Sequence, residues 1–329
     1  MTPTRQWPVI GHEWAAELLE RAIARDQLSH AYLFTGPEGV GKTTLGLAFA
    51  QALLCPEEFP CPECPTCRRI AARVHPDVWT IEPSGQVLRV EQVRDVVREA
   101  SRRPVEAPYR VFILAHMERA HPAAANALLK TLEEPPEHVV LILTAPSEDA
   151  ILPTLTSRCQ VLHLRPVPDA TIVRALVERW GMDEDRARLL ARLSGGRPGL
   201  ALRLHEDPEY WDVREELFQR VGSFLREGKR WPRLELADAW SRLDVSELFR
   251  RIKLLERVFR DILMVQTGRN EQLFNVDKEA LLQEWARTLT EEEVRRFVAQ
   301  AMRTEAYLRN NVNKRLALDV LFLRLPTSR

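Results

Sequence analysis

The sequence lacks an excess of charge of either sign. Lys plus Arg and Asp plus Glu number 47 each over 329 residues, so the formal net charge is zero. No global basic field draws in a polyanion, and any contact with nucleic acid has to be local. A run of about eighteen apolar residues is also missing. The opening stretch MTPTRQWPVIGHEW has neither a charged n-region nor an apolar h-region. A membrane span and an export signal are thereby excluded, and a cytoplasmic protein is expected. There are no internal repeats and no low-complexity segments. The chain is 45% hydrophobic and 29% charged, ordinary for a globular protein, and is long enough for two or three domains with cores of their own.

Cysteine is scarce, with five in all, but four of them crowd into CPEEFPCPECPTC (55–67) and the fifth is Cys159. The spacing is C-x5-C-x2-C-x2-C. In a chain without an export signal such crowding favours a metal over disulfides. Four thiolates at Cys55, Cys61, Cys64 and Cys67 can close a tetrahedral Zn²⁺ site, with Pro60, Pro62 and Pro65 stiffening the knuckle that presents them. Two rivals stay open. An iron–sulfur cluster needs a further cysteine where the chain has Ala71, and a redox C-x-x-C pair leaves two thiols unexplained. A zinc with four protein ligands has no open position for water, so its expected role is structural.

Residues 36–43 read GPEGVGKT, a complete G-x-x-x-x-G-K-[ST] phosphate loop. Gly36, Gly39 and Gly41 let backbone N–H groups turn toward phosphates. Lys42 supplies a point charge, Thr43 is placed to ligate Mg²⁺, and Thr44 opens the following helix. The context fits: AYLFT (31–35) is a short apolar run of the buried-strand kind, and TLGLAFAQALL (44–54) continues as an apolar-rich helix.

Beyond it strands and helices alternate: DVWTI (77–81), helix 90–103, RVFIL (110–114), helix 122–134, VVLILT (139–144) and QVLHL (160–164). The pattern predicts a three-layer α/β domain over 1–165 with a mostly parallel sheet and the cysteine module at 55–67. RPVPD (165–169) reads as a linker, 166–207 as a small helical domain with a turn at SGGRPG (194–199), and 208–329 as an all-helical domain. DVSE (244–247) and TEEE (290–293) look like capping boxes. Leu248, Ile252, Leu255, Phe259 and Ile262 form a stripe of helical period, expected to pack a bundle core.

The series IGHE (10–13), HAYLFTGPEGVGKT (30–43), the cysteine knuckle, HPD (75–77), NALLKTLEEPP (126–136), TSRC (156–159) and NNVNKRLALDVL (310–321) resembles the bacterial sliding-clamp-loader subunits, which are AAA+ proteins. The resemblance covers the chain from about residue 9 to its end. It implies an AAA+ P-loop domain, a helical lid and a helical collar for oligomerisation, in an accessory subunit of a DNA-directed DNA polymerase holoenzyme. Two kinds of member compete, the motor that carries the ATP cycle and a stationary subunit without one. SGQVLRVEQVRDVV (84–97) and the short C-terminus resemble the stationary kind.

In the family a strand like VFIL ends in Asp-Glu, one acid for Mg²⁺ and one for the attacking water. Here Ala115 and His116 occupy those positions. Alanine holds no metal and neutral imidazole is a poor substitute beside Mg²⁺. Glu118 lies just beyond, in the expected turn or the next helix. The resemblance therefore implies a subunit that does not hydrolyse ATP, with weak or vestigial ATP/ADP binding, working beside motor subunits and the delta subunit in a hetero-pentamer. Contact with the sliding clamp and primer-template DNA would come through that assembly.

By the same resemblance Val9 and Ile10 match the adenine-pocket segment, Thr144 the first phosphate sensor and Arg197 the second. Arg158 matches an arginine finger supplied to a neighbour's ATP. Arg94, Arg98 and Arg102 share one helix face and either track DNA phosphates or form a solvated face with Glu91, Asp95 and Glu99. Two alternatives remain: an active ATPase with an irregular acid, and a P-loop enzyme acting on a small molecule. The helical third of the chain offers the latter no substrate constellation.

Overall fold

The computed structural model describes residues 7–57, 61, 63–85, 87–310 and 312–327. Pro60 and Pro62 of the knuckle lie outside them. The chain divides into two compact units, Met1–Asp183 with Gly196–Leu200, and Glu184–Gly195 with Ala201–Arg329.

The first unit runs α1 (Glu13–Ala24), β1 (Ala31–Thr35), α2 (Lys42–Leu54), α3 (Pro65–Ala71), β2 (Val78–Ile81), α4 (Val90–Ala100), β3 (Arg110–Leu114), α5 (Pro122–Glu133), β4 (Val139–Ala145), α6 (Pro153–Thr156), β5 (Gln160–His163) and α7 (Asp169–Trp180). Its five described strands form one sheet in the order β2-β3-β4-β1-β5, every pair parallel. Near-continuous apolar runs such as RVFIL and VVLILTA are what a sheet covered on both faces requires. Strand alternation sorts them into two cores. Tyr32, Phe34, Ile113 and Ile142 pack with Leu45 and Phe49 of α2. Leu33, Phe112, Leu141 and Leu143 pack with Val93 and Val96 of α4 and Leu128 of α5. This is the expected three-layer α/β architecture with its parallel sheet and a phosphate loop after β1.

Boundaries shift where local chemistry intervenes. α2 starts at Lys42, two residues ahead of the expected 44, because Gly41 in the left-handed region serves as its N-cap. α4 stops at Ala100 rather than 103: the Ser101 hydroxyl donates to Arg98 O, Arg102 N–H turns to Glu99 O, and Pro104 bars continuation. HPD has a structural task. Asp77, fully buried, accepts N–H bonds from Val105, Glu106 and Ala107 and lies 3.7 Å from Arg110 Nε, tying the start of β2 to the loop before β3.

In the second unit the helices are α8 (Glu184–Ser194), most of α9 (Pro198–Glu206), α10 (Pro208–Glu227), α11 (Arg230–Ser241), α12 (Val245–Gln266), α13 (Glu279–Thr288), α14 (Glu291–Arg309) and α15 (Lys314–Leu323). The expected stripe is the core of α12, with Ile252, Leu255, Phe259 and Ile262 without exposed surface. Thr290 and Glu293 make a reciprocal capping box on α14. At α12 the Asp244 side chain accepts from Glu247 N–H. A buried polar network links Arg214, Asn275, Asp277 and Asp261. Among the described residues no helix is long and apolar enough to cross a membrane.

Candidate functional site

The C-terminal ends of β1, β3 and β4 meet at one edge of the sheet, since Thr35 is in register with Ala145 and Leu114 with Leu143. The phosphate loop leaves β1 there. Gly36, at φ +141°, donates its N–H to Ala145 O and Pro146 O, and a Cβ at this position would stand 2.2 Å from Leu164 O. Only glycine fits so close an approach of two backbones. Gly39 and Gly41 also have positive φ. Lys42 is buried, and its Nζ donates to Gly36 O at 2.6 Å and Pro37 O at 3.1 Å. Burial pulls its pKa below the usual lysine value, while Glu118 and Glu38 push it back up. Thr43 is half-buried and Thr44 exposed, in the first turn of α2.

Two partners of the loop escape motif reading. His12, the buried N-cap residue of α1, has Nε2 3.1 Å from Val40 O, and burial lowers its pKa against the pull of that carbonyl and of Glu13. A carbonyl only accepts, so Nε2 carries the hydrogen and donates to Val40 O. Gly199 N–H donates to Gly39 O at 2.8 Å, which brings the turn carrying Arg197 against the phosphate loop. Arg197 itself is half-buried. Val9 and Ile10 are buried, Val9 within the α1–α2 core and its carbonyl held by Arg179 of α7.

At the end of β3, Ala115 is buried and bonded through its N–H to Ile81 O. His116 adopts φ +57°, and its N–H donates to the Thr144 hydroxyl at 3.1 Å. Thr144 thus engages the segment that replaces the acids. Glu118 turns back toward the loop: Oε1 lies 3.2 Å from His116 Nδ1, while Oε2 is buried without a hydrogen-bond partner.

Cys55, Cys61, Cys64 and Cys67 have Sγ atoms within 4.8 Å of one another, with Cys55 and Cys64 3.8 Å apart. A tetrahedron of Zn–S bonds of about 2.3 Å has edges of roughly 3.8 Å, so these donors fit. Cys64 and Cys67 N–H groups donate to the sulfurs of Cys61 and Cys64 at 3.3 Å, the pattern of a metal knuckle. Burial opposes ionisation at Cys64, but the N–H of Cys67 and the neighbouring thiols outweigh it and the pKa falls. Cys159 stands apart, its thiol pushed up to about 12 by burial. The four clustered cysteines could therefore hold a metal such as zinc.

Arg158 follows α6 and precedes β5. Because β5 runs parallel to β1, with Gln160 opposite Tyr32 and His163 opposite Thr35, Arg158 lies at the end of the sheet remote from the phosphate loop. Strands of this length put about 15 Å between the two ends. Its guanidinium bonds Thr154 O at 2.9 Å and Glu133 Oε1 at 2.8 Å. On α4 and just beyond it, Arg98 pairs with Asp95 and Arg102 with Glu99, while Arg94 has no partner among the described residues.

A parallel sheet with a phosphate loop after an inner strand, followed by a helical region, defines a P-loop protein. The family described as DNA polymerase III, delta subunit matches residues 11–168, and its C-terminal counterpart matches residues 208–327. DNA polymerase III subunit delta' of Bacillus subtilis is 29% identical over 94% of this chain and 94% of its own length. The delta' subunit of Pseudomonas aeruginosa is 38% identical over 64% of this chain and 65% of its own. Subunit tau of Bacillus subtilis is 34% identical but matches 59% of this chain and 36% of its own length. The chain belongs to the DNA polymerase III delta' subunits, the clamp-loader family of DNA replication.

Proposed function

We propose that this chain is the non-hydrolysing, stationary subunit of a clamp loader, which assembles with motor subunits and a delta subunit and serves their ATP with Arg158. Residues 1–165 would be the nucleotide-binding-like domain, 166–207 the lid and 208–329 the collar. The observation that carries the reading is the junction after β3: beside a complete phosphate loop, the two positions directly after the strand are Ala115 and His116, and the first carboxylate beyond them, Glu118, is set against His116. Gly36, Gly39, Gly41, Lys42, Thr43 and Thr44 would hold the phosphates, with Val9 and Ile10 beside the base and Thr144 and Arg197 at the sensor positions. Any ATP or ADP so bound would be held weakly and not turned over.

The remoteness of Arg158 from its own phosphate loop supports a finger offered in trans, where a planar, permanently charged guanidinium stabilises charge on a transferring phosphoryl group. On α15 the exposed Leu316, Val320 and Leu323 repeat at helical spacing, which supports association through the collar into a hetero-pentamer. Sliding clamp and primed DNA would be met through that assembly. Zinc on the four cysteines would hold the knuckle in shape.

Purified protein is expected to show no steady ATP turnover; turnover abolished by Lys42→Ala would overturn the reading. In the reconstituted loader with clamp and primed DNA, Arg158→Ala is expected to leave assembly intact and to depress ATP turnover and clamp loading. Unchanged rates would remove the finger.

One observation favours a second reading, an ATPase with an irregular acid. Glu118 raises the pKa of Lys42 and keeps one buried oxygen unpartnered. That reading requires turnover that Glu118→Gln eliminates.

A further inference from the structure

The geometry around Arg158 points to Glu133 as its positioning residue: the last residue of α5 holds the finger's guanidinium in the plane in which it is presented. This rests on the finger reading above, which says nothing of what fixes the side chain.

Arg158 is held from two elements. Nη1 donates to Thr154 O of α6 at 2.9 Å and weakly to Ser157 Oγ at 3.4 Å, and Nη2 donates to Glu133 Oε1 of α5 at 2.8 Å. A guanidinium has five N–H groups in one rigid plane. These contacts occupy both Nη1 hydrogens and one on Nη2, so Nε–H and the second Nη2–H stay uncommitted. The side chain is 35% exposed, which leaves those donors reachable from outside.

Glu133 is an acid at the C-terminus of a helix, where the macrodipole disfavours negative charge. Its helix offers a cation only at Lys130 in that turn. Among the described residues, the partner of its carboxylate is Arg158. The pair is solvent-exposed, and exposed pairs add little to folding. Its value is orientation: a donor already fixed where charge develops loses no reorganisation at the moment of reaction. A carbonyl alone fixes one Nη and lets the plane swing about it; the second anchor, on a different element, stops that rotation.

The test uses the loader reconstituted with its motor subunits, delta subunit, clamp and primed DNA, carrying wild-type chain, Glu133→Ala, Glu133→Gln, Glu133→Asp or Arg158→Ala. Melting temperature and assembly by native mass spectrometry are expected to be unchanged in all. Glu133→Ala is expected to lower kcat of ATP turnover by on the order of tenfold, a fraction of what a trans finger can supply. KM for ATP should stay near wild type, Gln should be intermediate, and Asp should recover most of the loss. Wild-type kcat in Glu133→Ala beside a depressed Arg158→Ala overturns the positioning role and leaves the finger standing. A raised kcat in Glu133→Ala overturns it too, since Glu133 would then restrain the finger. An inert Arg158→Ala sinks the finger itself, and the inference with it.

Discussion

Asp77 shows what a single buried residue carries in this chain. Its carboxylate satisfies three backbone N–H groups and faces the buried Arg110, and those contacts hold its pKa below the usual carboxylate value despite burial. Asp77→Ala would leave three backbone N–H groups without their acceptor, while Arg110 keeps Glu99 as its partner, and chemical denaturation should show a loss of about 1–3 kcal/mol. Gly36→Ala forces a Cβ onto the Leu164 carbonyl at positive φ and should cost on the order of 3 kcal/mol in the same measurement. His12 and His75 are both buried, and burial lowers each pKa below 6.5. The unfolded chain then binds their protons at higher pH than the folded chain does. Their contribution is complete above about pH 6.5 and is lost as the pH falls toward the depressed folded values. Melting temperature should fall on acidification from pH 7.5 to 5.5, and the slope should flatten in His12→Gln and His75→Gln. HPD and IGHE stood out in the sequence as strings; their partners, Arg110 and the Val40 carbonyl, lie far along the chain and could not be read from it.

At the scale of elements the cysteine knuckle is the clearest unit. Cys64 caps α3 with its own sulfur, and Cys64 and Cys67 enter the same core as Ile70 and Phe49. Metal removal should therefore loosen α3 and its contact with α2 while the helices of the second unit keep their protection. Metal analysis should return one zinc per chain, and hydrogen exchange after chelation should localise the change to about residues 55–71. A protein without zinc, or one whose α10–α15 helices melt with the metal, would contradict this. The arginine row of α4 is weaker than its spacing suggests. Arg98 and Arg102 are engaged by neighbouring acids, and only Arg94 is uncommitted among the described residues.

At the scale of the whole molecule, the family match spans both units, and the exposed apolar positions of α15 supply a test of the proposed assembly. Leu316→Glu with Val320→Glu alters exposed positions of α15 and should leave the isolated chain folded, as circular dichroism would show. The same variant should fail to enter the loader on native mass spectrometry. Normal incorporation would place the subunit contacts elsewhere. The proposed finger, Arg158 with Glu133 beside it, connects this scale to the smallest one, since such a finger matters only where another chain presents a phosphoryl group.

The sequence by itself determined the parallel α/β domain, the phosphate loop, the four-cysteine set and the missing acids, because each is written in contiguous residues: apolar runs of strand length, glycine spacing, and a strand followed directly by Ala115 and His116. Tertiary structure alone decided the rest. It set Arg158 at the end of the sheet opposite the phosphate loop, because that depends on which strands pair and in what direction. It joined Gly199 to Gly39, His12 to Val40 and Glu133 to Arg158, contacts over 160, 28 and 25 positions of chain. No local propensity encodes such pairs; they exist only once both faces of the sheet are covered and the loops at its two ends are fixed.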